Sequence, residues 1–195
     1  MATEIHIRLI LRRPVLQFLA LAAVAFASPA LGETNRLRAT PADRTAVESC
    51  LKLVDENAKQ ATQKQVEDET PGPAGRLAAA AREAATQSES CIGAVTVPCQ
   101  QEPGGYSTAG MIDCNTREWA VWDERLNRTY NSAIKGAERK LATALRQTQR
   151  AWLQWREQKC KLPEIENEGG SIIGPLYTGC MLDSTARQAL WLDHR

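Results

Sequence analysis

The chain has 195 residues, 43% of them hydrophobic and 24% charged, with 24 Lys plus Arg against 23 Asp plus Glu. That composition belongs to a globular chain and excludes disorder throughout. Near-neutral charge argues against a nucleic-acid binder that works by neutralising phosphates.

Residues 1–32 read as a secretory signal peptide. Arg8, Arg12 and Arg13 precede an apolar run from Val15 to Ala27, and Ala30-Leu31-Gly32 supplies the small residues a signal peptidase requires. The run is shorter than the roughly 20 apolar residues that cross a bilayer. Cleavage near Gly32 would remove both Phe (Phe18 and Phe26), His6, Glu4 and the three Arg, leaving 21 basic and 22 acidic side chains. The first Cys is Cys50, so no lipid-anchor Cys follows the cleavage point. A periplasmic or secreted protein without a stable membrane anchor is expected.

All six Cys (Cys50, Cys91, Cys99, Cys114, Cys160 and Cys180) lie beyond that segment. They contain no C-x-x-C pair, and His194 is the one His left beside them, so structural disulfides are favoured over metal or redox chemistry. The same penultimate His194 argues against a His-based catalytic centre. No phosphate-binding loop, metal-ligand cluster or activated nucleophile is present, so no catalytic, cofactor-binding or metal site is assigned. A two-carboxylate glycosidase is disfavoured because nothing in the sequence marks a glycan-sized cleft.

After a linker over 33–42, an N-terminal helical pair is expected over 43–92. Asp43 is read as the cap of a helix with Val47, Leu51, Val54, Ala58 and Ala61 on one face, ending near Glu67 before the Pro- and Gly-rich stretch 71–75. An Ala-rich helix over about 76–90 follows, and a Cys50–Cys91 bond would tie it to the first. Residues 93–110 read as an ordered loop pinned by Cys99.

The strongest pattern begins at Ser107 or Thr108. Cys114, Trp119, Trp122, Leu126, Tyr130, Ala133 and Ala137 form one stripe; Leu141, Leu145, Thr148, Trp152 and Trp155 form another. Two long antiparallel helices are predicted, reversing between Ile134 and Lys140, with the second closed by Cys160 and ended by Pro163. A last helix is placed over about 178–192. The paired Trp residues are assigned to core packing over an aromatic binding platform, because the chain beyond the signal segment has no Phe. The predicted fold is all-α: a disulfide-stapled domain over 93–195, built on a long antiparallel helical hairpin plus a C-terminal helix, with the N-terminal helix pair added.

The segment Cys114 to Leu190 resembles the lysozyme-inhibitor LprI-like family of small exported bacterial domains, extending back to Cys99 with the preceding loop. The resemblance rests on Cys114; Leu126-Asn127 with Tyr130; Leu145, Gln149-Arg150-Ala151-Trp152 and Arg156; Cys160; Gly169-Gly170-Ser171; Cys180; and Thr185, Arg187 and Leu190. It implies a protein partner, a lysozyme or another cell-wall lytic enzyme, and no enzymatic activity. The alternative is a non-inhibitory adaptor or structural module of the envelope. Gln149 is expected to bond across the hairpin to Asn127 or a loop carbonyl, and Arg156 and Arg187 to pair with Asp123 or Glu124 or to be exposed. The remaining disulfides are expected as Cys99–Cys114 and Cys160–Cys180. The candidate partner-binding surface is the loop 163–171, where Glu164, Glu166 and Glu168 precede Gly169 and Gly170, since an acidic tethered loop would be steered toward basic lysozymes.

Overall fold

The computed structural model describes residues 38–66, 83 and 87–194, all within the unit spanning 36–195. The expected signal segment and most of the expected Ala-rich helix lie outside the described residues. The helices whose bounds fall among the described residues are α1 (Pro41–Val66), α2 (Thr96–Gln101), α3 (Thr108–Gly136), α4 (Arg139–Glu166) and α5 (Ile173–Asp193). Among the described residues there is no strand, and no helix is long and apolar enough to cross a membrane. The fold is all-α, stapled by Cys50–Cys91, Cys99–Cys114 and Cys160–Cys180, the three pairs set out above.

Local chemistry accounts for most helix boundaries. At the start of α1, Thr40 Oγ1 accepts from the Asp43 N–H (3.1 Å) and the Asp43 carboxylate accepts from the Thr40 N–H (2.8 Å), a reciprocal capping box. Thr40 is therefore the cap, and Asp43 its partner one turn in. Ser107 caps α3 by accepting from the Gly110 N–H at 3.0 Å, and the reversal between α3 and α4 falls at Ala137 and Glu138. Residues 93–110 are not wholly loop, since α2 forms within them over Thr96–Gln101. Pro163 does not end α4, which continues to Glu166 with Asn167 bonding back to the Pro163 carbonyl. The last helix starts at Ile173, five residues before its expected start, because Pro175 in a first turn needs no intrahelical N–H partner.

The packing is centred on α5. Its buried residues include Thr178, Met181, Leu182, Thr185, Ala189 and Leu192, spread around the helix instead of along one stripe, as expected of a helix enclosed on several sides. It runs parallel to α3, since Asn115 bonds to Thr178 (3.1 Å) and Arg125 to Asp193, and it packs more extensively on α3 than on α4. Relative to α4 it is antiparallel, with Gln149 opposite Gln188 (3.0 Å), Arg156 opposite Thr185 (2.8 Å) and Cys160 joined to Cys180. The hairpin helices α3 and α4 share few close approaches, because α5 takes the inner faces of both. Val47 of α1, Val95, Trp122, Leu126 and Ala186 belong to one continuous core.

A fully buried carboxylate ties these parts together. Glu118 on α3 accepts from the backbone N–H groups of Gly93 (2.6 Å), Val95 (3.0 Å) and Thr96 (2.7 Å), and from the indole N–H of Trp122 (3.0 Å). Three of these donors lie at the start of α2, where a helix leaves N–H groups without internal partners. Beside this knot the backbone is packed so closely that a Cβ on Gly105 would lie 2.5 Å from the Cys99 carbonyl oxygen, and one on Gly110 would collide with Gly104. Replacing Glu118 by Gln turns an acceptor oxygen into an amide donor facing N–H groups. Glu118→Gln is expected to lower stability by about 3 kcal/mol, read as a fall in the urea midpoint with all three disulfides intact.

Candidate functional site

The three carboxylates assigned from sequence to a loop stand instead at the tip where α4 turns into α5. Glu164 and Glu166 belong to the last turn of α4, Asn167 caps it, and the connection runs from Asn167 to Ile172. All three Glu are exposed, as are Gly169 and Gly170, and none of the three is ion-paired among the described residues. Between Glu164 and Glu166 stands Ile165, 77% exposed. Successive helical residues are turned by about 100°, so Glu164, Ile165 and Glu166 point in different directions around the tip.

The tip departs from local preference in three respects. Pro163 offers no N–H to the preceding turn. Glu164 and Glu166 occupy the C-terminal end of a helix, where the dipole disfavours acids by roughly 0.3–1 kcal/mol each. Glu168 has φ of 43°, a left-handed conformation normally left to Gly or Asn, as in neighbouring Gly169 with φ of 89°. The Cys160–Cys180 bond, one turn below, holds this unfavourable turn on the bundle.

The other residues singled out from sequence are mostly structural. Gln149 is buried and accepts from Gln188, not Asn127, which instead donates to Asp123 at 3.0 Å. Arg156 donates to Thr185 and lies 4.8 Å from the Trp152 ring centroid and 6.0 Å from that of Trp119. Burial lowers the pKa of this guanidinium, opposed by Asp123, and burial raises the Asp123 carboxyl, opposed by Arg156. Buried Nε of Arg156 and Nε1 of Trp119 have no acceptor among the described residues, so the aromatic faces provide much of what holds this cation. Arg187 is exposed, one of the two outcomes expected for it, and pairs with Asp183 and Glu89, while Glu124 pairs with Arg44 (2.6 Å). Leu126 is in the core, with Tyr130 packed at its edge.

The Trp assignment needs correction as well. Trp122 is fully buried and Trp119 and Trp152 are partly so, but Trp155 is 54% exposed. The inward stripe of α4 runs through Ala142, Leu145, Gln149, Trp152, Arg156 and Cys160, while Leu141, Thr148 and Trp155 face out. The expected stripe was a mixture of two faces.

A groove of about 670 Å³ that the sequence did not signal lies where the beginnings of α1, α2 and α3 meet. Asp43, Glu102, Asp113 and Arg117 are its charged residues. Arg117 is bound to Asp43 (2.5 Å), so this pair closes on itself instead of presenting free charge. No group of three or more His, Cys, Asp or Glu side chains suited to a metal ion occurs among the described residues.

A tethered tip carrying unpaired carboxylates and an exposed aliphatic side chain can do recognition chemistry against a basic protein surface. Residues 99–192 match the family model described as lysozyme inhibitor LprI. The LprI match thus begins at Cys99 and takes in α3, α4, the acidic tip and nearly all of α5, while α1 and the Cys50–Cys91 bond lie before it. The donors that Glu118 receives from Gly93, Val95 and Thr96 also precede it, so the knot spans the edge of the LprI match. An uncharacterized protein of Rhizobium meliloti (strain 1021) is 28% identical over 105 residues, covering 46% of this chain and 76% of the relative. No solved structure matches the chain.

The Asp43–Arg117 pair has a pH signature. Burial would raise the Asp43 carboxyl, but hydrogen bonds from Arg117 and Thr40 outweigh it and hold the pKa below its ordinary value. A depressed folded-state pKa contributes stability above the unfolded value of about 3.9, and this is lost as pH falls through the folded pKa. Asp43→Asn should therefore cost about 1–2 kcal/mol at pH 7 and reduce the steepness of unfolding below about pH 4. Thermal midpoints of both proteins between pH 2 and 7, on the order of one per pH unit, check this; parallel curves would exclude the pairing as a source of acid sensitivity.

Proposed function

We propose that the chain is an exported inhibitor of a lysozyme or a related cell-wall lytic enzyme, and that the acidic tip at Glu164, Glu166 and Glu168 is its docking element. The LprI match over 99–192 is the observation that carries the reading. The tip supports it physically: three local preferences are set aside within six residues, and such departures concentrate where a surface serves something other than folding. Export is supported by three disulfides, which persist in oxidising compartments, and by the signal-like segment over residues 1–32.

The mechanism is electrostatic steering followed by insertion. Unpaired carboxylates attract a basic enzyme over a distance of about one Debye length, roughly 8–10 Å at physiological salt. Ile165 then offers apolar area to the contact, and the disulfide-held turn loses little conformational freedom on docking. Nothing in this scheme requires a reacting group on the inhibitor; obstruction of the partner's cleft suffices.

Replacing Glu164, Glu166 and Glu168 together by Gln tests the docking element. In a turbidity assay of lysozyme on cell walls, the triple variant is expected to need at least about tenfold more protein for half-inhibition at low salt, with the difference shrinking at moderate salt. Equal inhibition by a folded triple variant at both salt concentrations removes the tip as the docking element. Absence of inhibition by the parent itself, across lytic enzymes of several classes, removes the inhibitor reading and leaves the envelope adaptor.

A further inference from the structure

The outer face of α4 carries a second pattern that the bundle does not use. Leu141, Ala144, Thr148, Ala151, Trp155, Gln158, Leu162 and Ile165 follow one another at alternating steps of three and four, the spacing of a coiled-coil seam. Every one of these positions is exposed. The large ones are among the most exposed apolar side chains of the described residues: Leu141 47%, Leu162 50%, and Trp155 and Ile165 as given above. A helix normally turns such a stripe inward; α4 turns inward the stripe containing Gln149 and Arg156. The outward seam extends over roughly 36 Å, and an apolar stripe of that length on an otherwise charged helix marks an interaction surface.

We infer that this face of α4 docks a second copy of the same chain, laid antiparallel across a twofold axis near residue 153. Size and charge along the helix both select that occupant. In this register Trp155 of each copy meets Ala151 of the other, Leu162 meets Ala144, Leu141 meets Ile165 and Thr148 meets Gln158. Trp155 and Leu162 thus each face an Ala, two aliphatic side chains meet at either end of the seam, and the polar pair falls together. Arg139 and Lys140 stand in the first turn of α4, after its cap Glu138, and Glu164 and Glu166 in its last turn, with Glu168 in the connection beyond. Antiparallel docking brings each basic end beside an acidic end, whereas parallel docking would place like charges together at both. A self-complementary patch of this type is what a twofold dimer requires. Lys159, now over the Trp155 ring at 5.0 Å, covers part of the seam in the single chain and must swing aside. The inference does not depend on the lysozyme reading, and its test uses no lytic enzyme; a second copy covers Ile165 and meets the tip carboxylates, so it would compete with a lytic enzyme for the tip.

Sedimentation equilibrium of the purified, disulfide-intact protein, from micromolar to submillimolar concentration, should show one-chain mass giving way to two-chain mass. Trp155→Glu and Leu162→Glu, each at an exposed position, should weaken association at least tenfold while leaving the helical circular dichroism and the thermal midpoint of the dilute protein unchanged. Lys140→Glu should also weaken it, and adding Glu166→Lys and Glu168→Lys to the same chain should restore it. The restoration distinguishes the antiparallel charge pairing from loss of fold. One-chain mass at every concentration overturns the inference, whatever else covers the face. Association undiminished by Trp155→Glu and by Leu162→Glu overturns it equally, because the dimer would then use another surface.

Discussion

The structure depends on the Glu118 carboxylate. Burying a charge without partners is prohibitively expensive, and a buried carboxylate persists only when its lone pairs are occupied. Four N–H donors occupy those of Glu118, three of them from the backbone of residues 93–96. The dependence is mutual. Without Glu118, the start of α2 would hold unpaired N–H groups beside Cys91 and Val95, both buried. Around this centre the Cys50–Cys91 and Cys99–Cys114 bonds, the Asp43–Arg117 pair and the Gly105–Gly110 approach all act within the same segment. Disulfides limit how far the unfolded chain can spread, but they leave the direction of the chain between them open. The carboxylate fixes that direction, and with it the way α1 lies along α3.

The opposite end of the bundle is organised on a different principle. The lone pairs of Glu118 are occupied by four N–H donors, while at the tip the carboxylates are exposed to solvent. The Cys160–Cys180 bond allows this, because a covalent tie holds the turn whether or not its last residues favour helix. Stability gathered around one end of α3 thus coexists with a tip whose residues oppose their own conformation.

How much of this could be read from the sequence depended on whether the relevant signal was local. The turn at Ala137–Glu138, the Ser107 cap and the all-α class follow from spacing and turn chemistry, which act over a few residues, whereas the disulfide pairs, 15 to 41 residues apart, were expected from the helices and loops that their Cys flank. The central position of α5 has no such signal, since a helix buried on several sides lacks the stripe that betrays a half-buried one. Glu118 was missed for a related reason: a Glu between Arg117 and Trp119 on a long helix reads as a solvent-facing charge, and three of its four donors come from 22 to 25 residues away. Asp43 was recognised at the right helix end but in the wrong place within the capping box. Pro163 was taken as a stop because its steric cost is local, whereas the disulfide that offsets it joins two helices. As for the tip, its composition was legible, but its helical form was not.

The choice between the two stripes of α4 shows how a fold can override apolar periodicity. Turning the helix by roughly 100° would bring Leu141, Thr148 and Trp155 toward α5 and gain apolar burial. It would also carry Cys160 away from Cys180, separate Gln149 from Gln188 and withdraw Arg156 from Thr185. One covalent bond and two side-chain hydrogen bonds, spaced along more than ten residues, set the rotation of the helix at several heights at once. Hydrophobic attraction is nearly indifferent to small rotations, whereas a disulfide and a buried amide pair are not. Directional contacts therefore decide which face is inward, and the more regular apolar stripe is left outside, where a second helix can use it.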